Sequence, residues 1–110
     1  MTSELPTSLW LEACLRDFSN KGGFYTYIHK GPANGGAVLL KVYVSGQGAQ
    51  LYSQYRDMDG KLAWMEIFEG KWVDERQADA YIKRQIENDP DLWVVEMESR
   101  EKENPLKDLI

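Results

Sequence analysis

One cysteine and one histidine among 110 residues leave little material for several kinds of chemistry. Cys14 has no second cysteine to bridge, so an intrachain disulfide is excluded, and a free thiol inside an amphipathic pattern behaves as a small buried apolar group. A reducing cytoplasm is therefore the expected compartment. A zinc site would need carboxylates to complete His29 and Cys14, and no ligand spacing supplies them. Cationic charge is also scarce: 13 Lys and Arg face 18 Asp and Glu, for a net charge of -5. Without a basic run, binding to phosphate backbones or anionic lipid is not expected, because both need a dense cationic surface. Long apolar runs are missing too. No stretch approaches the roughly 18 residues of a membrane-spanning helix, and Met1–Pro6 has neither the charged nor the apolar segment of a signal peptide. No repeat, low-complexity tract or linker interrupts the chain, so one domain over residues 1–110 is expected, with a tail from about residue 100 either mobile or, through Leu106, Leu109 and Ile110, held as a short docked turn or a partner contact. No cofactor is implied.

What is present is a set of well-punctuated elements. Ala37–Val44 is the longest β-branched apolar run, broken only by Lys41 and bounded by Gly35-Gly36 and Ser45-Gly46-Gln47-Gly48, as a central strand covered on both faces should be. Before it, Leu5-Pro6-Thr7-Ser8 reads as a helix start, with Thr7 or Ser8 as N-cap. Leu11, Cys14, Leu15 and Phe18 then share one face, and Gly22-Gly23 ends a helix over about residues 7–20. Residues 24–30 form a short aromatic strand. Residues 49–56 and 61–69 follow the central run as further strands of a meander. Asp74-Glu75-Arg76-Gln77 has capping-box spacing and opens a second helix, with Ala78, Tyr81, Ile82, Gln85 and Ile86 inward and Glu75, Asp79, Lys83 and Glu87 outward. Asn88-Asp89-Pro90 stops it, and residues 92–99 make a fifth strand. The order α-β-β-β-β-α-β predicts an α+β fold of two layers, a mainly antiparallel five-stranded sheet with both helices on one face.

Leu5-Pro6-Thr7-Ser8-Leu9-Trp10, Gly36-Ala37-Val38-Leu39-Leu40-Lys41 and Asp89-Pro90-Asp91-Leu92-Trp93-Val94-Val95-Glu96 recur in order in a known family. With the Gly22-Gly23 helix exit and the Tyr81–Gln85 segment, they make the chain resemble the small alphaproteobacterial family called domain of unknown function 1491. The resemblance covers nearly the whole chain. It implies a stand-alone cytoplasmic bacterial protein and carries no activity and no site residues with it.

Individual candidates for chemistry are weak. His29 lacks an orienting acid and a nucleophile in any recognisable spacing. Cys14 lies on the apolar stripe, away from the electropositive surroundings that activate a thiol. Asp57, Asp59 and Gly60 have turn chemistry without the later ligands of a calcium loop. Gly31-Pro32-Ala33-Asn34-Gly35-Gly36 leads into a strand and not into a helix N-terminus, so it is no phosphate cradle. Glu96, Glu98 and Glu101 read as a solvated acidic face, for which Lys41 is the natural counter-charge. The feature above background is the sheet face away from the helices. If the helices cover Phe24, Ile28, Val38, Leu40, Val42 and Leu51, alternation sends Tyr25, Tyr27, Lys41, Tyr43, Tyr52 and Arg56, with His29, to the other side. Tyr and Arg are enriched in protein interfaces, so these residues are the candidate contact surface for a homodimer or another protein partner, and no catalytic or metal site is assigned. The function expected is a non-enzymatic binding or assembly module. The alternative is a small enzyme built on Glu96, Glu98 and His29.

Overall fold

The computed structural model describes residues 6–107; Leu5, Leu109 and Ile110 lie outside them. Helix α1 runs Thr7–Asn20 and starts at Pro6, whose fixed φ suits the first turn. No side chain caps it, contrary to the role expected of Thr7 or Ser8; the Ser8 N–H donates instead to the Ala33 carbonyl at 3.1 Å. At the exit, Gly22 takes a φ of 95° and the Gly23 N–H donates to the Phe18 carbonyl, closing the last turn. The strands are β1 (Phe24–His29), β2 (Val38–Val44), β3 (Gly48–Arg56), β4 (Leu62–Glu66) and β5 (Trp93–Glu98), and helix α2 spans Glu75–Asn88 between the last two. Asp74 caps α2 by accepting the Arg76 N–H at 3.0 Å. The fold is α+β with one five-stranded, mostly antiparallel sheet, in the order expected.

The strand order is β1-β5-β2-β3-β4. The meander expected from four consecutive strands holds for β2, β3 and β4, but β5 enters between β1 and β2, antiparallel to the first and parallel to the second. Its composition explains the position. Trp93, Val94, Val95 and Met97 are buried on both faces, and such a strand gains most when flanked by two others under two layers. The connection from residue 30 to 37 carries the chain past the inserted strand.

The helices do not share a face, which corrects the two-layer expectation. Val38, Leu40 and Val42 of β2 pack with Trp93, Val95 and Met97 of β5 against Trp10, Leu11 and Leu15 of α1. Leu39 of β2 packs with Ala49 and Leu51 of β3 and Val94 of β5 against Ala78 and Ile82 of α2. The molecule therefore has three layers, helix, sheet and helix. The reason lies in β2 and β5, which carry buried apolar residues on both faces, Leu39 and Val94 on the α2 side among them, so each face needs its own cover; each fully buried Leu or Val contributes about 1.5–3 kcal/mol. After β5 the chain returns to the α1 side, where Leu106 is fully buried and Asn104 nearly so.

Candidate functional site

On the α2 side of the sheet the centre is a cation. Alternation along β2 aims Lys41 at α2, and its side chain is 1% exposed. The ammonium donates to Glu75 Oε2 and Asp79 Oδ1 of α2, both at 2.7 Å, and to Glu96 Oε1 of β5 at 3.0 Å. Burial by itself disfavours the charged ammonium, but the hydrogen bonds to Asp79, Glu75 and Glu96 outweigh it and hold the Lys41 pKa well above its ordinary value of 10.5. Lys41 thus answers Glu96, as the sequence implied. Glu75 and Asp79, expected to face solvent, are the partners it did not reveal; they flank the buried Ala78 and Ile82 and are one turn apart, so both reach inward past the stripe.

Beside this cluster, part of the same face is bare. Because α2 stands over β2 and β3, the α2-side residues of the edge strand β1 have no layer above them. Phe24 is 72% exposed and Ile28 40%. Ile28, Ile82 and Ile86 form the apolar floor of a hollow of about 460 Å3, and Asp79, Glu87 and Glu96 with Lys83 form its rim. A smaller hollow of about 200 Å3 lies along β1, lined by Phe24, Thr26, Glu96 and Glu98. β1 is bonded to β5 on one side, and among the described residues its other side has no backbone partner.

The six residues expected to form a contact surface are divided between the two faces. Tyr25, Tyr27, Tyr52 and Arg56 lie on the α1 side, whereas Lys41 and Tyr43 lie on the α2 side. Tyr52 is buried, and burial followed by the nearby Glu66 and Glu103 carboxylates pushes its phenol up to about 12. Tyr25 and Tyr27 are half-buried, edge to face with each other at 6.0 Å, and Tyr27 also meets the Trp93 ring. Arg56 donates to the Gly60 carbonyl at the far end of the sheet. The grouping assumes that the even-numbered residues of β1 and β2 share a face; pairing through β5 instead places Phe24 and Thr26, opposite Glu98 and Glu96, on the side of Lys41 and Tyr43, and α2 does not extend over β1, so Phe24 and Ile28, assigned to the covered face, are left open. The sequence signal for this is faint: β1 is short, follows directly on α1 and is the first strand of the sheet.

Glu96, Glu98 and His29 are not brought together. Glu96 and Glu98 stand opposite Thr26 and Phe24, while His29 lies at the other end of β1, where its Nδ1 is 2.7 Å from the Leu92 carbonyl. Cys14 is half-buried beside the α1 core, and burial, followed by the charge of Asp17, raises its thiol pKa.

The fold defines a class: an α+β protein with a helix on each side of a mixed five-stranded sheet, whose edge strands β1 and β4 have no backbone partner on their outer sides among the described residues. The family model described as protein of unknown function (DUF1491) matches residues 5–107, and the chain belongs to that family. It is similar to a DUF1491 family protein from Caulobacter crescentus seen in a crystal structure, with 39% identity and a TM-score of 0.79 over 88% of this chain and 90% of that one. A solution structure of a DUF1491 family protein from the same organism matches at 38% identity and a TM-score of 0.76, covering 89% of this chain and 88% of that one. A solution structure of an A. tumefaciens protein shares the fold at 23% identity, with a TM-score of 0.75 over 94% of this chain and 92% of the other. No curated protein matches the chain.

Proposed function

We propose that the protein is a non-enzymatic docking module, working in the cytoplasm, whose contact surface is the open α2 side of β1 together with the hollow beside it. The observation that carries this reading is the exposure of Phe24 and Ile28 on an edge strand, next to Ile82 and Ile86. Edge strands in soluble proteins are usually blunted by charge or covered, because free backbone groups beside apolar side chains recruit other chains. An apolar strip of this kind, rimmed by polar residues, marks a contact site. The six residues first expected to make the contact contribute little here, since Lys41 and Tyr52 are buried and the others are split between faces.

Photo-crosslinking in the host cell tests the reading. With p-benzoylphenylalanine replacing Phe24, a discrete protein adduct is expected; with the same group replacing the exposed Gln47, no adduct is expected. Ile28→Lys should remove the adduct at position 24. No adduct at position 24, or equal adducts at both positions, would contradict the reading.

A further inference from the structure

We propose that the open strip on the α2 side of β1 seats an amphipathic helix of a partner protein, laid beside α2, whose buried stripe carries a Lys or Arg between apolar residues. The inference rests on the docking reading above and names the partner's shape and chemistry. The width of the strip fits one helix. α2 packs over β2 and β3, and the order β1-β5-β2-β3-β4 puts β1 two strand spacings from β2. At about 4.8 Å per spacing that is roughly 10 Å, and packed helices stand about 8–10 Å apart. A single helix next to α2 therefore covers β1 and β5 and completes the layer on this side. The length fits as well. Ile28 shares its hollow with Ile82 and Ile86, and Phe24 marks the other end of the strip, at most about 13 Å away along the strand. Helix residues seven or eight apart are separated by about 10–12 Å and share a face, so one apolar residue meets each end.

The middle of the strip is acidic. Thr26 and Glu96 stand opposite each other there, and Asp79 reaches in from α2. Lys41 binds one oxygen each of Asp79 and Glu96, and their second oxygens have no charged partner among the described residues. With Lys41 and Lys83 set against Glu75, Asp79, Glu87, Glu96 and Glu98, three negative charges remain. A Lys or Arg three or four residues along the stripe lies over this middle, its stem on the apolar ends and its head on the carboxylates. Because the apolar and cationic positions of a helix share one face, all of them point to the side of the sheet that carries these acids. A second copy of this chain is a poor occupant. Among the described residues the exposed positions of α1 set Glu12 between Leu9 and Ala13, and those of α2 are polar apart from Ala80.

The probe is an acetylated and amidated alanine–glutamine peptide of about four helical turns, with leucine at i, i+3 and i+7 and arginine at i+4. Its controls carry glutamate at i+4 or proline at i+5, the latter unable to form the helix. Binding is read by fluorescence anisotropy and by amide shifts and hydrogen exchange of the labelled protein. The arginine peptide is expected to bind at least about tenfold more tightly than either control, and to lose its advantage over the glutamate peptide as salt rises. The shifts are expected to centre on residues 24–28 and 79–87, while the outer amides of β1 keep their rate of exchange. Ile28→Lys and, separately, Phe24→Ser should each weaken binding by about tenfold or more with the circular dichroism unchanged, since both residues are exposed. Asp79→Asn should narrow the arginine-over-glutamate ratio by about threefold or more. Equal binding of arginine and glutamate peptides, equal binding of the proline peptide, shifts elsewhere, or no binding of the arginine peptide would overturn the proposal. Protection of the outer β1 amides on binding would mean an added strand in place of a helix, and would overturn it as well. A crosslink at position 24 together with failure of the arginine peptide would reject the helical, cationic partner and leave the docking reading standing.

Discussion

Replacing Trp93 by alanine is expected to lower the unfolding free energy by about 3–5 kcal/mol, a large share of the roughly 5–15 kcal/mol typical of a domain. The ring is 5% exposed and packs with Tyr27 at the junction of β1, β5 and α1. Its Nε1–H donates to the carbonyls of Pro32 at 3.1 Å and Gly35 at 2.9 Å, so the same side chain pins the connection that carries the chain past β5. Gly31 and Gly36 have no room for a Cβ beside it, and Gly36 also needs its φ of 91°. Truncation therefore opens a cavity and leaves the 31–36 connection without its anchor. Trp93→Phe keeps most of the packing and should lose only about 1–2 kcal/mol, the cost of leaving the carbonyls unpaired. Urea denaturation followed by circular dichroism measures both. A midpoint unchanged by Trp93→Ala would show β5 to be peripheral.

Lys41→Met is expected to cost about 3 kcal/mol, the lower end of what breaking a buried ion pair typically costs. The apolar stem survives, but three carboxylates lose their common cation. The loss stays at the lower end because Glu75, Asp79 and Glu96 are 42%, 55% and 29% exposed and can turn toward water. Adding Glu96→Gln to Lys41→Met should recover part of it by removing one of the repelling charges. Stability of Lys41→Met at or above that of the parent would mean that the cluster is dispensable. The pH dependence has a definite sign. Lys41 and Tyr52 both hold their protons more tightly in the folded chain than their ordinary values of 10.5 and 10.0 allow. The unfolded chain releases those protons first, so both contributions are complete below about pH 10 and shrink as the pH rises further. In Lys41→Met the alkaline fall should be shallower.

Local signals made the elements legible. The Leu11, Leu15 and Phe18 spacing with Gly22-Gly23 bounds α1 at residues 7–20, and Asp74 with Asn88-Asp89-Pro90 bounds α2. The layer arrangement was not legible, because β2 is apolar at Val38, Leu39, Leu40 and Val42 alike, and alternation then cannot say which helix covers which face. The place of β5 depends on pairing with β1 and β2, far away in sequence, and no turn residue fixes a partner for a strand reached by a crossover. The ion cluster was half visible. Lys41 stood out in an apolar run, and Glu96 was its natural counter-charge, but Glu75 and Asp79 look like ordinary surface acids until α2 is laid over β2. A parity between strands that sequence does not fix hid the open strip: alternation groups Phe24 and Ile28 with Val38 and Leu40 on a covered face, whereas pairing through β5 puts Phe24 on the side of Lys41, where α2 does not extend over β1.

Site-resolved hydrogen exchange of the native protein tests the central claim, that β1 offers a free edge, most directly. The account predicts that the β1 amides pointing away from β5 exchange nearly as fast as those of an unstructured segment, while those pointing toward β5 are protected and the amides of β2 and β5 are the slowest of all. Protection of every amide from Phe24 to His29 at the level of β5 would show that the edge is already covered, and would contradict it.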